Sequence, residues 1–126
     1  MSRLLSFLNQ TLLIRLAALL CFAAVGLGAF GAHGLRPVLL EHGTFQTWET
    51  AVLYHFIHAI ALLAMSGWQP LPKGPVACFL LGILLFSGSL YVLAVTGIKP
   101  LGAITPFGGV SFLAGWLWLA LRPAKA

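Results

Sequence analysis

Side chains able to do chemistry are scarce in this chain. It has four histidines and two acids in 126 residues, and two of the histidines stand inside an apolar stretch, YHFIHAIALL at 54–63. A neutral imidazole offers one hydrogen-bond donor and one acceptor. It titrates near neutrality, and it is a good ligand for zinc, copper and iron. His55 and His58 therefore suit three tasks: holding a metal or haem, passing protons, or forming a hydrogen-bonded polar core. Spaced three apart, they share a helix face, and Tyr54 adjoins His58 from four residues before it. An imidazole left unpaired in hydrocarbon costs several kcal/mol, so this face must point inward. Ser87, Ser89, Tyr91 and Thr105 are the hydroxyls available to pair with it. With His33 they make the candidate polar or functional cluster: His33, Tyr54, His55, His58, Ser87, Ser89, Tyr91 and Thr105.

Other chemistries find less material. A metal would draw on His33, His42, Glu49 and His55, but no HxxxH or HExxH occurs to clasp it, so metal and cofactor stay unknown. Two histidines at i, i+3 cannot hold one haem from opposite faces. The Tyr54/His58 face and Trp116/Trp118 hint at a quinone or lipid. Serine nucleophiles would lack a buried acid to orient a histidine. The glycine-rich stretches precede no strand–helix unit that cradles phosphate. No catalytic residue is assigned, and the chain reads as a non-enzyme. Cys21 and Cys78 form no CxxC and read as small buried hydrophobes.

The elements that must position these groups follow from composition. Sixty per cent of the residues are hydrophobic and 7% are charged, against about a quarter charged in a soluble domain. Too little polar material exists to coat a water-facing surface, so lipid is the solvent. The length argues for one membrane domain over 1–126. The net charge of +5 comes from cations scattered singly. That leaves no basic footprint for nucleic acid. A helix needs about 20 apolar residues to cross a bilayer, and four segments supply them, near 12–32, 44–66, 76–96 and 101–121. The expected fold is an all-α integral membrane protein, an antiparallel bundle of four transmembrane helices.

The breaks between spans have local causes. In HGLRPVLLEHGT (33–44), Pro37 opens a short helix, Gly43 ends it and Thr44 caps the second span. GWQPLPKGP (67–75) has three prolines and two glycines and does not remain helical. In TGIKPLGAITPFGG (96–109), Thr105-Pro106 reads as an N-cap followed by a first-turn proline. The fourth span is then broken or kinked there, with residues 98–105 as a turn or half-helix at the membrane edge. Arg3, Arg15, Lys73, Arg122 and Lys125 fall on one side of four spans, and Arg36 and Lys99 on the other. The positive-inside rule puts both termini in the cytoplasm, with Arg15 snorkelling to the inner surface. A cleaved signal peptide is the rival reading of the first segment, whose apolar run exceeds a usual h-region.

Helices in lipid associate through close approach. Ala24, Gly28 and Ala32 form one small-residue row, with Gly31 beside it, and Gly108, Ser111 and Gly115 form another. Finally, GAFGAHGL (28–35), TAVLYHFIHAIALL (50–63), FSGSLYVLAVTG (86–97) and LGAITPFGGVSFLAGW (101–116) resemble the domain-of-unknown-function 423 family. These are small inner-membrane proteins of the YgdD type, to which vertebrate transmembrane protein 256 looks related. The resemblance covers about residues 15–120 and implies four helices in the bacterial inner membrane; it implies no activity. The first functional reading is a non-enzymatic structural or accessory membrane component, partnered by the bilayer and by a homo-oligomer or larger membrane complex. The second is a ligand-binding or transport protein, for metal, haem, quinone, protons or a small solute, that uses the His55/His58 face.

Overall fold

The computed structural model describes residues 2–123. Four helical segments are long and apolar enough to cross a membrane: Gln10–Ala32, Phe45–Met65, Lys73–Thr96 and Lys99–Leu121. The protein is an all-α, multi-pass membrane protein. After a single turn at Ser2–Leu5 come α1 (Gln10–Ala32), the short α2 (Arg36–His42) and α3 (Phe45–Met65). They are followed by α4 (Lys73–Thr96), a 3₁₀ turn (Lys99–Ala103) and α5 (Thr105–Leu121). The last span is broken between Ala103 and Thr105, where the sequence places the break.

Helix ends differ from expectation for specific reasons. α1 starts at Gln10 rather than near Leu12, because Asn9 is extended (φ −136°) and its side chain accepts the Leu12 N–H at 2.9 Å. α4 starts at Lys73 rather than near Val76. Pro75 falls in its first turn, where a missing N–H costs nothing, so the last three residues of the proline-rich loop are helical. Gly43 does end α2, in the left-handed conformation at φ 67°. The two threonines expected to cap helices do other work. Thr44 stands at the N-cap of α3, but its hydroxyl donates to the Ala94 carbonyl of α4 at 2.7 Å. Ile104 takes the cap position of α5, and the Thr105 hydroxyl shares a hydrogen bond with Ser89 at 2.7 Å.

α1 lies along α3, α5 lies along α4, and α3 and α4 adjoin in the middle. One end of the bundle is closed around Leu39, Trp48 and Ala94. The other is closed around Leu13, Ala17, Leu62, Met65, Val76, Phe79 and Phe112. His42 reaches the same Ala94 carbonyl as Thr44, at 3.3 Å, which ties the α2–α3 corner to the end of α4. Phe22, Phe107, Leu113 and Leu121 point outward, as a lipid-facing surface requires. Lys125, one of the cations counted above, lies outside the described residues.

The small-residue rows are used with one change of register. On α1, Ala24 is buried and Gly28 packs on Val52, but Ala32 faces outward. Gly31 takes its place beneath Trp48, where a β-carbon would strike the indole. Seven residues nearly complete two helical turns, so Gly31 stays on the Ala24 seam while Ala32 rotates about 80° away. On α5, Gly108 and Gly115 are buried, and Ser111 donates to the Cys78 carbonyl at 2.7 Å. α4 contains one π turn, Ile83–Ser87, in which the Gly88 N–H reaches back to Ile83. It lies where α4 meets both neighbours at once. Ser87 donates to the Ala51 carbonyl of α3 at 2.7 Å, and the Phe86 backbone abuts Gly108 of α5.

Candidate functional site

His55 and His58 share a helix face but serve different seams. On the α3–α5 side, His58 Nδ1 lies 2.7 Å from the Tyr54 carbonyl. A carbonyl only accepts, so Nδ1 carries the proton and Nε2 bears the lone pair. That lone pair accepts the Trp116 Nε1–H at 2.9 Å. The ring is neutral, its tautomer is fixed, and both nitrogens are occupied. One face is covered by Phe112, which stacks on it with centroids 3.6 Å apart and planes within 10°, and Phe79 meets it edge-on at 5.1 Å; the ring also borders a groove lined by Tyr54, Phe86 and Trp116.

On the α1–α4 side, His55 Nδ1 shares a hydrogen bond of 2.7 Å with the Tyr91 hydroxyl. A phenol can give or take, so this bond does not fix the tautomer. His55 Nε2 is buried without a hydrogen-bond partner among the described residues. The Leu20 backbone of α1 interacts with the ring without reaching Nε2 in hydrogen-bond geometry. A buried polar atom in that state costs about 1–3 kcal/mol.

The remaining candidates are spread over the bundle. Ser87 is spent on Ala51, and Ser89 on Thr105 and on the Phe86 carbonyl at 3.0 Å. So of the four hydroxyl groups offered to the histidines, only Tyr91 meets one. Tyr54 departs from its expected inward position. It is exposed, its ring lies 4.7 Å from Phe86, and it serves His58 through its carbonyl rather than its hydroxyl. At 240° around α3 from Trp48, against 280° for His58, Tyr54 falls past the edge of the buried stripe. His33 is exposed at the end of α1, and Glu49 is exposed on α3. Among the described residues, no group of three or more His, Cys, Asp or Glu could hold a metal ion. The loose set His33, His42, Glu49 and His55 is therefore not assembled: His42 is turned to Ala94, and His55 to Tyr91.

Two partners went unread in the sequence. Trp116 supplies the hydrogen bond that completes His58, and Trp48 donates from Nε1 to the Leu27 carbonyl at 2.8 Å. The available signal is the indole N–H itself, which needs an acceptor wherever a tryptophan lies within an apolar span.

Four apolar spans with imidazoles and hydroxyls sealed between them define a small helical integral membrane protein. Residues 27–109 match the family described as "Protein of unknown function (DUF423)", and the chain belongs to this family. It is 44% identical over 118 residues to UPF0382 membrane protein YwdK of Bacillus subtilis, covering 89% of this chain and 95% of that one. It is also 44% identical to a UPF0382 membrane protein of Staphylococcus aureus, covering 90% and 96% of the two chains. The UPF0382 membrane protein of Staphylococcus saprophyticus is 47% identical over 116 residues, covering 89% and 96%. No solved structure matches.

Proposed function

We propose that this chain is a non-enzymatic structural or accessory component of the bacterial inner membrane, forming one membrane domain with both termini in the cytoplasm. Its polar cluster locks helix register, and its work is done by the outward faces, against lipid and against copies of itself or a larger membrane complex. The state of His58 carries this reading. An imidazole with both nitrogens hydrogen-bonded inside the chain and an aromatic ring on its face is committed to packing. A metal or quinone could reach Nε2 only by displacing Trp116. The orientation rests on cation placement, with Arg3, Arg15, Lys73 and Arg122 on the terminal side against Arg36 and Lys99.

One atom favours a second reading, in which the bundle binds a small ligand. His55 Nε2 is the buried side-chain polar atom without a partner among the described residues, and a bound species would satisfy it. A native mass spectrum of the full chain, extracted from its own membrane in mild detergent, separates the two. The bare chain or a homo-oligomer with lipid is the result expected of a structural component. A metal, haem or quinone retained by the wild type and lost in His55→Leu would overturn the first reading in favour of the second.

A further inference from the structure

A groove of about 290 Å³ runs between α1 and α3 at the end of the bundle that carries α2. Gly28 and Gly31 line it from α1, and Phe45, Glu49 and Phe56 line it from α3 together with an edge of the buried Trp48. α3 is about 31 Å long, close to the thickness of the hydrocarbon core, and Glu49 lies about 6 Å along it from Phe45. With α3 spanning the layer, Glu49 stands one turn inside one end of the span, within the edge of the apolar layer. Glu49 is exposed to the groove and has no hydrogen bond or ion pair among the described residues. An ionisable group at such depth is costly and normally meets a partner of opposite charge.

The rest of the groove states what kind of cation fits. The one hydrogen-bonding side chain in its walls besides Glu49 is Trp48, and its N–H is committed to the Leu27 carbonyl. A primary ammonium would therefore find a single acceptor for three N–H groups. A quaternary ammonium needs no acceptor; it needs a negative charge and aromatic faces. Phe45 already holds a cation in this way: the Arg36 guanidinium sits 5.1 Å from its ring centroid. Below Glu49 the lining is apolar, through Val52, Leu53 and Phe56.

We infer that this groove binds a single-chain amphiphilic quaternary ammonium, its head against Glu49 and the aromatic rings and its chain along Gly28 and Phe56. The site is separate from the histidine seams and does not depend on the role proposed for them. The test is a titration of the full chain in dodecyl maltoside micelles with dodecyltrimethylammonium, followed by tryptophan fluorescence. The detergent presents the same alkyl chain without charge, so only the cationic head can give specific binding. Saturable binding is expected, weakened about tenfold or more in Glu49→Gln. Gly28→Leu, which fills the groove from the α1 side, weakens it too, and Glu41→Gln on α2 leaves it unchanged. Unaltered helical circular dichroism shows that the variants fold. A Glu49→Gln titration identical to wild type, or no saturable signal above micelle partitioning, overturns the proposal. So does a change of oligomeric state in Glu49→Gln with the titration unchanged, because the groove then belongs to a second copy of the chain.

Discussion

The approach of α5 to α4 can be tested at one residue. A β-carbon on Gly108 would run into the Phe86 backbone nitrogen and lie 2.7 Å from the Phe86 Cα and Cβ. Carbon atoms rest at about 3.5–4.0 Å, so Gly108→Ala forces the helices apart by roughly 1 Å. The Ser89–Thr105 hydrogen bond, 2.7 Å long and one turn away on α5, stretches with them beyond useful length. Overpacking costs about 1–3 kcal/mol, and a lost hydrogen bond within the membrane about 0.6–1.7 kcal/mol. The total is about 2–5 kcal/mol, or a fall of roughly 8–20 °C in melting temperature for a chain of this size. Gly26→Ala is the matched control, since a β-carbon there meets nothing within 4 Å. It should melt within about 2 °C of wild type, or slightly above it, because alanine is the better helix former. Thermal unfolding of both variants in one detergent, followed by circular dichroism, reads the difference. Equal melting of the two would refute the reasoning, for it would mean that α5 slides on α4 without cost.

Two further expectations concern the histidine seam and the orientation. His58→Leu leaves the Trp116 N–H without its acceptor and should lower stability by about 1–3 kcal/mol; Trp116→Phe should cost a similar amount, and the double variant less than the sum. Unchanged melting and assembly of His58→Leu would sink the polar-lock reading. In a background with Cys21 and Cys78 replaced by serine, a cysteine at Gly67 should react with a membrane-impermeant maleimide only from the cytoplasm, and one at Glu41 only from outside. The reverse pattern would reject the orientation drawn from cation placement.

The spans are legible because the signal is long-range and redundant. Twenty apolar residues in a row, stopped by clusters such as GWQPLPKGP, admit few other structures. Helix ends are less legible because each is decided by one or two atoms. Asn9 adds a half-turn to α1 by a single hydrogen bond, and Pro75, a breaker in the loop reading, fits a first turn. The threonines teach the same point. Capping preference is a local rule, and at Thr44 and Thr105 a carbonyl or hydroxyl on another helix competes for the same oxygen. In lipid no water satisfies that second group, so the tertiary bond wins. The π turn at Ile83–Ser87 leaves no mark in composition at all. It exists where Ser87 must reach Ala51 while Phe86 accommodates Gly108, which is a property of three helices together.

Site residues divide along the same line. That the His55/His58 face must contain buried imidazoles follows from desolvation alone, and both rings are 3% exposed. Which groups they meet does not follow, because spacing on one helix fixes direction only to within a seam. The 60° between the two rings is enough to send His55 to α4 and His58 to α5, where two different partners leave them in opposite states. His58 is closed on both nitrogens. His55 keeps one buried nitrogen without a partner among the described residues, and its tautomer is open, although it stands only one turn from His58 in sequence. Glu49, a metal-ligand candidate by residue type, stands instead in a groove on the far side of α3 from His58. A charge on the second turn of a span looks like an interface anchor in one dimension. Only the packing of α1 against α3, set by Gly28 and Gly31, turns its surroundings into a cleft.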